Sequence, residues 1–168
     1  LSYRDAYEPL WQGPATLLLP AKPVHFTAYG ASGSLAKTIN RMQLSTLVSY
    51  SDYDYEDERN FAGVLIDQDD RDHSVLNAAI RAGYSVSAAT SLFVSVAGNQ
   101  YEYDQSPPAV TVDRSSTGYE VIGGVAFEIS NLVTGEVGAG YLSQTYDAPG
   151  VDDTDGLAAH ASIRWQPD

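Results

Sequence analysis

Two acidic runs hold the residues with the most evident chemistry in this chain. Asp67-Gln68-Asp69-Asp70-Arg71-Asp72 and Asp152-Asp153-Thr154-Asp155-Gly156 each crowd carboxylates into a few positions. Such hard oxygen ligands suit Ca²⁺ or Mg²⁺, and the candidate ligands are Asp67, Asp69, Asp70, Asp152, Asp153 and Asp155. Neither run follows the EF-hand pattern. Solvated loop acids are therefore the plainer expectation, with a divalent cation at these loops as the alternative and no other cofactor implied.

A second set of charges falls inside strand-like segments. Arg41, Arg81, His160 and Arg164 share a polar side with Glu120, Glu128 and Glu136. Lining a pore, they would set its selectivity. Paired with one another, they would close it. Both readings stay open from the residues alone. Catalysis finds little support: there is no Gly-x-Ser-x-Gly elbow, and His25, His73 and His160 lie far apart in the chain. His160 reads as a packed interior residue, and no enzyme activity is expected.

Composition narrows the classes further. The 168 residues suffice for one domain. With no cysteine, disulfides and thiolate metal sites are excluded. A net charge of −13 argues against a nucleic-acid partner, which needs a basic footprint. No apolar run is long enough for a transmembrane helix, but barrel strands need only short alternating segments. The chain opens Leu-Ser-Tyr-Arg, with no basic n-region and apolar h-region. That start fits a chain from which a signal has been removed.

The elements that position these residues show in period-two alternation. Leu157, Ala159, Ala161, Ile163 and Trp165 alternate with Ala158, His160, Ser162 and Arg164. Tyr119–Ile129, Leu76–Tyr84, Met42–Tyr50 and Val137–Leu142 alternate in the same way. Leu92, Val94 and Val96 do so too, although Phe93 sits on the face opposite the other apolar residues. Val24–Lys37 is a weaker strand, rich in Gly and Ser. These segments make about seven strands, and Ala15–Leu19 is a candidate eighth. Pro14, Pro20 and Pro23 mark residues 1–23 as an irregular or plug-like lead, with the barrel over 24–168 as one domain.

The joins between segments alternate in length. Thr38-Ile39-Asn40, Val86–Ala89 and Ser130–Thr134 are short. Glu56–Asp72, Asp104–Arg114 and Asp147–Gly156 are long and carry, with the strand tips beside them, most of the 22 acids. Tyr50, Tyr53, Tyr55, Tyr101, Tyr103, Tyr119 and Tyr146 border the long joins, while Tyr84, Phe127 and Trp165 border the short ones. Two aromatic belts and one long-looped end are the layout of an outer-membrane barrel.

With the strands placed, Tyr50-Ser51-Asp52-Tyr53-Asp54-Tyr55, Arg81-Ala82-Gly83-Tyr84 and Asp113-Arg114-Ser115-Ser116-Thr117-Gly118-Tyr119 resemble the putative β-barrel porin 2 family of Gram-negative bacteria. Gly135-Glu136-Val137-Gly138-Ala139-Gly140-Tyr141 and the closing Trp165-Gln166-Pro167 belong to the same likeness, which covers about residues 40–167. It implies an outer-membrane place, a porin-like or surface-polymer role, and no catalytic residues. The family's barrels look larger, so the chain is expected to be an all-β, antiparallel up-and-down transmembrane barrel of about seven or eight strands, or a fragment of a larger one. Expected partners are outer-membrane lipid and lipopolysaccharide, whose phosphates can share divalent ions with acidic loops, and a further copy or a surface assembly. Three functions compete: porin-like passage or support of polymer export, a structural barrel that binds a surface partner through its acidic loops, and a soluble β-sandwich binding domain.

Overall fold

The alternating segments become strands of one antiparallel sheet in the computed structural model, which describes residues 1–8, 20, 22–104, 113–130 and 132–167. The strands are β1 Ser2–Glu8, β2 Val24–Ile39, β3 Met42–Tyr55, β4 Glu58–Arg59, β5 Leu65–Ile66, β6 His73–Ser85, β7 Thr90–Tyr103, β8 Ser116–Ser130, β9 Val133–Tyr146 and β10 Thr154–Trp165. Eight of them form the sheet in the order β1-β2-β3-β6-β7-β8-β9-β10, each beside its sequence neighbour in the sheet. β4 and β5 pair as a small separate hairpin. No helix among the described residues is long and apolar enough to cross a membrane, which says nothing about crossing by strands.

Two departures from expectation concern the N-terminal third. Ser2–Glu8, assigned by its proline-rich surroundings to an irregular lead, is an edge strand paired with Val24–Gly30. The prolines that argue against a strand all follow it. Val24–Ile39, the weak candidate, is the longest strand, because β3 pairs with it from Phe26 to Ile39. The candidate strand Ala15–Leu19 lies outside the described residues, as does the middle of Asp104–Arg114.

Joins alternate between the two ends as expected. The β2–β3 turn is only Asn40-Arg41, with Asn40 in the left-handed region at φ 54°, where asparagine is tolerated. Arg41 is thus a turn residue and not part of the wall. The β6–β7 join is Val86–Ala89, at the same end. The opposite end carries residues 56–72, 113–115 and 147–153, and β1 and β2 meet there through Glu8 and Val24. The join after β3 is folded: it contains the β4–β5 hairpin and a 3₁₀ turn at Asp69–Arg71, and Pro20 bridges to Asn60.

Registry sends each apolar alternate to one face. Thr46, Ile80, Val96, Val121, Tyr141 and Leu157 stand side by side across six strands. This outer face is bare: Leu35, Val48, Ile80, Val94, Leu157 and Ile163 all have large exposed side chains. The accessible surface is 11703 Å², against about 8,100 Å² for a compact soluble protein of this mass. A contiguous apolar face of this size needs a covering of lipid or protein.

The inner face curls. Arg81 of β6 reaches Glu136 of β9, and Phe93 of β7 packs against Ala158 of β10, three strands away. Phe93 therefore belongs where its parity puts it. With Ile122 and Ala158 it forms a small buried cluster inside the curl, flanked by Ala126 and Leu142. No hydrogen bonding between the free edges of β1 and β10 is formed among the described residues, so the sheet is open.

Candidate functional site

The concave inner face collects the charged side chains of β6, β8, β9 and β10. At its centre, the Arg81 guanidinium makes two hydrogen bonds to the Glu136 carboxylate. His160 Nε2 lies 2.7 Å from Glu136 Oε1, so one carboxylate serves an arginine from one side and a histidine from the other. The Arg81 guanidinium carbon also lies 3.6 Å from the centre of the Phe93 ring, a close cation–π contact. Together these groups form a bar across the inner face.

Glycines make the bar possible. A Cβ on Gly124 would meet Phe93 Cζ at 2.5 Å, and one on Gly138 would meet Ile122 Cγ2 at 2.7 Å and His160 Nδ1 at 3.3 Å. The glycines of β8 and β9 are the bed on which the Phe93 and His160 rings lie. A cavity of about 380 Å³ opens on the short-turn side of the bar, lined by Glu128, Glu136 and Arg164. Another, of about 320 Å³, opens on the long-loop side and contains Glu120. Of the interior charges expected from sequence, Arg81, Glu120, Glu128, Glu136, His160 and Arg164 all face this side, and only the first, third-from-last and His160 are joined directly: Arg81, Glu136 and His160.

Toward the long loops the inner face becomes aromatic. Tyr53, His73 and Tyr103 are direct neighbours on β3, β6 and β7. Their rings stack at 4.7 Å and 4.9 Å. Phe26 stacks on Tyr55 at 5.2 Å. Arginines cap the row: Arg71 lies 4.2 Å over Tyr55 and Arg114 4.5 Å over Tyr103. Of the seven tyrosines expected in the belt beside the long joins, Tyr53, Tyr55, Tyr101, Tyr103 and Tyr146 fall in register with the inner face, and only Tyr50 and Tyr119 stand on the outer one. The outer belt near the long loops is built instead by Tyr3, Tyr29, Tyr50, Tyr119 and Tyr141, and the other belt by Tyr84 and Trp165. Tyr50 and Met42 mark the band on β3, about 27 Å apart at 3.4 Å per residue, enough for a tilted strand to cross hydrocarbon.

The loop acids divide. Asp67 and Asp69 approach within 4.8 Å of Asp57, a residue that the sequence runs do not contain. Asp57 comes from the far side of the β4–β5 hairpin, where its Oδ1 accepts the Gln68 N–H at 2.9 Å. Asp70 turns away, and its backbone oxygen accepts from Arg114 at 2.5 Å. Asp153 accepts from the Tyr146 N–H, and Asp155 from the Tyr141 hydroxyl at 2.8 Å. Asp152, Asp153 and Asp155 therefore do not gather into a second cluster among the described residues. Asp57 and Asp153 each accept a backbone N–H and so tie their loops.

The described residues thus form an open antiparallel meander of eight strands, apolar on one face and charged on the other. A family described as putative beta-barrel porin 2 matches residues 13–168, and the chain belongs to it. No curated protein and no solved structure matches the chain.

Proposed function

We propose that the chain forms the wall of an outer-membrane β-barrel and that its concave face guides passive passage of solute. The observation that carries this reading is the separation of faces: a bare apolar exterior between two aromatic belts, and an interior that holds the arginines, glutamates and histidine of the bar. Membership of a β-barrel porin family supports it. A soluble sandwich needs a second layer against this sheet, and none is formed among the described residues.

The strand number is even, so β1 and β10 run antiparallel to each other. Such edges can meet in one chain, between copies, or with further strands of a larger barrel. The exterior takes lipid, and the long acidic loops lie outside the cell, beside lipopolysaccharide phosphates and their divalent ions. The Arg81–Glu136–His160 bar narrows the path toward the periplasmic turns. The same bar favours a second reading, in which the interior is closed and the barrel anchors a surface partner through its loops.

Conductance of the purified chain in planar bilayers decides between the two. Discrete channels that widen in Arg81→Ala support passage; a silent bilayer with inserted protein leaves the anchoring barrel. The membrane reading has its own check. Val94→Arg, on the exterior, should cost about 2–4 kcal/mol at mid-membrane depth, and Ala97→Arg, on the interior, much less. Equal costs on both faces would remove the assignment, as would a wild-type chain that stays soluble without detergent. Single cysteines at Asp69 and Asp153 should react with an impermeant reagent on intact cells, and one at Leu132 should not.

A further inference from the structure

Between the aromatic row and the ionic bar lies a level of the inner face that neither uses. Ser49, Asn77 and Asn99 are direct partners across β3, β6 and β7. Asn99 pairs with Gly118, and Gly118 with Gln144 on β9. Ser32 and Thr154 extend the level at its flanks. Seven neighbouring strands thus present hydroxyls, amides and one glycine at a single height, with no charge among them. The interior cavity of about 320 Å³ lies against this level. Asn77, Asn99 and Gln144 line it, Glu120 stands one level below, and Ala79 and Ala97 supply an apolar strip.

We propose that this level is a binding site for a neutral polyhydroxylated ligand, of the kind a hexose unit in a glycan presents. The proposal rests on the solute-passage reading and names the solute class for the same interior. Sugar hydroxyls both donate and accept, as primary amides do from their two ends. Glu120 can accept from two neighbouring hydroxyls, while the small apolar strip faces the C–H side of a ring. An anionic ligand meets Glu120 and the acidic loops. A cationic one finds a single carboxylate among neutral groups. The volume lies at the small end of ligand sites, about 300–1,000 Å³, and fits one or two sugar rings.

Two details fit this level to a polar ligand. Asn99 Oδ1 is buried and has no hydrogen-bond partner among the described residues. Such acceptors are normally satisfied by protein, water or ligand. Gly118 keeps room for the Gln144 amide, whose Oε1 would lie 1.8 Å from a Cβ there. The missing side chain lets that amide lie across β8, where its Nε2 donates to Ser116 Oγ at 2.9 Å. A methyl at position 118 would push the flexible Gln144 side chain aside and stand 3.0 Å from Ser143 O, so β9 must give by only a few tenths of an ångström.

The test is calorimetric titration of the full chain, folded in an amine-oxide detergent that carries no sugar. Maltotriose is the neutral probe, trigalacturonic acid the anionic one and spermidine the cationic one. Maltotriose should bind, and both Asn99→Leu and Gly118→Ala should weaken it by about tenfold, the scale of one lost hydrogen-bonding partner. The acid and the polyamine should bind more weakly than maltotriose. Lipopolysaccharide sugar is a second source of the same chemistry, and competition by lipopolysaccharide with maltotriose identifies it as the natural occupant. No maltotriose binding by an inserted, heat-modifiable barrel overturns the proposal and leaves the membrane reading standing. Equal binding by both variants, or a preference for either charged probe, also overturns it. A chain that never inserts overturns both readings.

Discussion

The two ends of the inner face hold similar ion pairs that join different things. Near the turns, Arg81 and Glu136 are 36% and 23% exposed; near the loops, Arg71 and Glu8, 2.5 Å apart, are 27% and 32% exposed. Burial alone would rank the two pairs together. Arg81 and Glu136, however, belong to strands three apart in the sheet, so their bond is also a statement about curvature. Arg71 and Glu8 join a loop to the edge strand, so their bond closes a clasp over β1. Distance and exposure set the strength of a pair, whereas topology decides what is lost when it breaks.

The largest expected effect lies in the glycine bed under the curl. A Cβ on Gly140 would meet Val121 O at 1.8 Å, and the obstacle is backbone, which cannot swing away. Gly140→Val should destabilise the folded sheet by about 3 kcal/mol or more, through forced separation of β8 and β9. Loss of heat-modifiable migration on gels is the readout. Normal migration and an unchanged denaturation midpoint would mean that the close approach of these strands does not shape the curl.

Next come the arginines themselves. Arg81→Ala leaves the Glu136 carboxylate with His160 alone and uncovers the Phe93 ring. With its partial exposure discounted, the cost is about 1–3 kcal/mol. Arg71→Ala should cost about 1 kcal/mol or less globally, because a partly exposed pair at a loop is weak. It should nonetheless speed amide exchange in Ser2–Glu8 far more than in β6 to β9, since Glu8 then lacks its loop tie. If Arg71→Ala lowers global stability as much as Arg81→Ala, the distinction between curvature and clasp fails. Arg81→Met with Glu136→Leu sharpens it: apolar replacement of both partners should recover much of the loss.

How far the sequence reveals these features follows from the range of each signal. The two faces are legible because alternation is local and the register carries it unbroken across the sheet. That logic also places Tyr53 and Tyr55 inside, since they share parity with Ser49 and Ser51, and Tyr101 and Tyr103, since they share it with Asn99. Their position at strand ends hides it. Phe93 reads as a misfit because a ring among serines resembles an error in alternation. Its purpose depends on Gly124, a neighbour only after pairing. The bond from Arg81 to Glu136 spans 55 residues, and no spacing rule reaches that far without the curl. Asp57 joins Asp67 and Asp69 only through the β4–β5 hairpin, whose two-residue strands are too short to show alternation. Ser2–Glu8 is obscured by prolines that belong to the next segment.

The smallest effect is a pH dependence at the loop end. Asp72 lies between the 3₁₀ turn and β6, outside the strands that would cross a membrane. Partial burial raises its pKa above the ordinary carboxylate value, the Tyr55 N–H bond to its Oδ1 at 2.7 Å opposes the rise, and Asp54, Asp69 and Asp104 add to it. A raised acid pKa means that the folded chain holds a proton which the unfolded chain has released. Stability from this group is therefore greatest at or below the ordinary carboxylate range, about pH 4, and declines as pH climbs through the raised value. Asp72→Asn keeps an oxygen for the Tyr55 N–H and removes the titration. Denaturation midpoints of the two proteins should then converge toward low pH, and the variant should gain on wild type as pH rises to neutrality. Many loop acids titrate in the same range, so the difference between the two curves is the quantity to follow. Arg81 and the bar stand on the opposite side of the interior, and Arg81→Ala should leave that difference unchanged. A difference that vanishes in Arg81→Ala would show that the two ends are coupled through the sheet, and that loop and bar act as one unit.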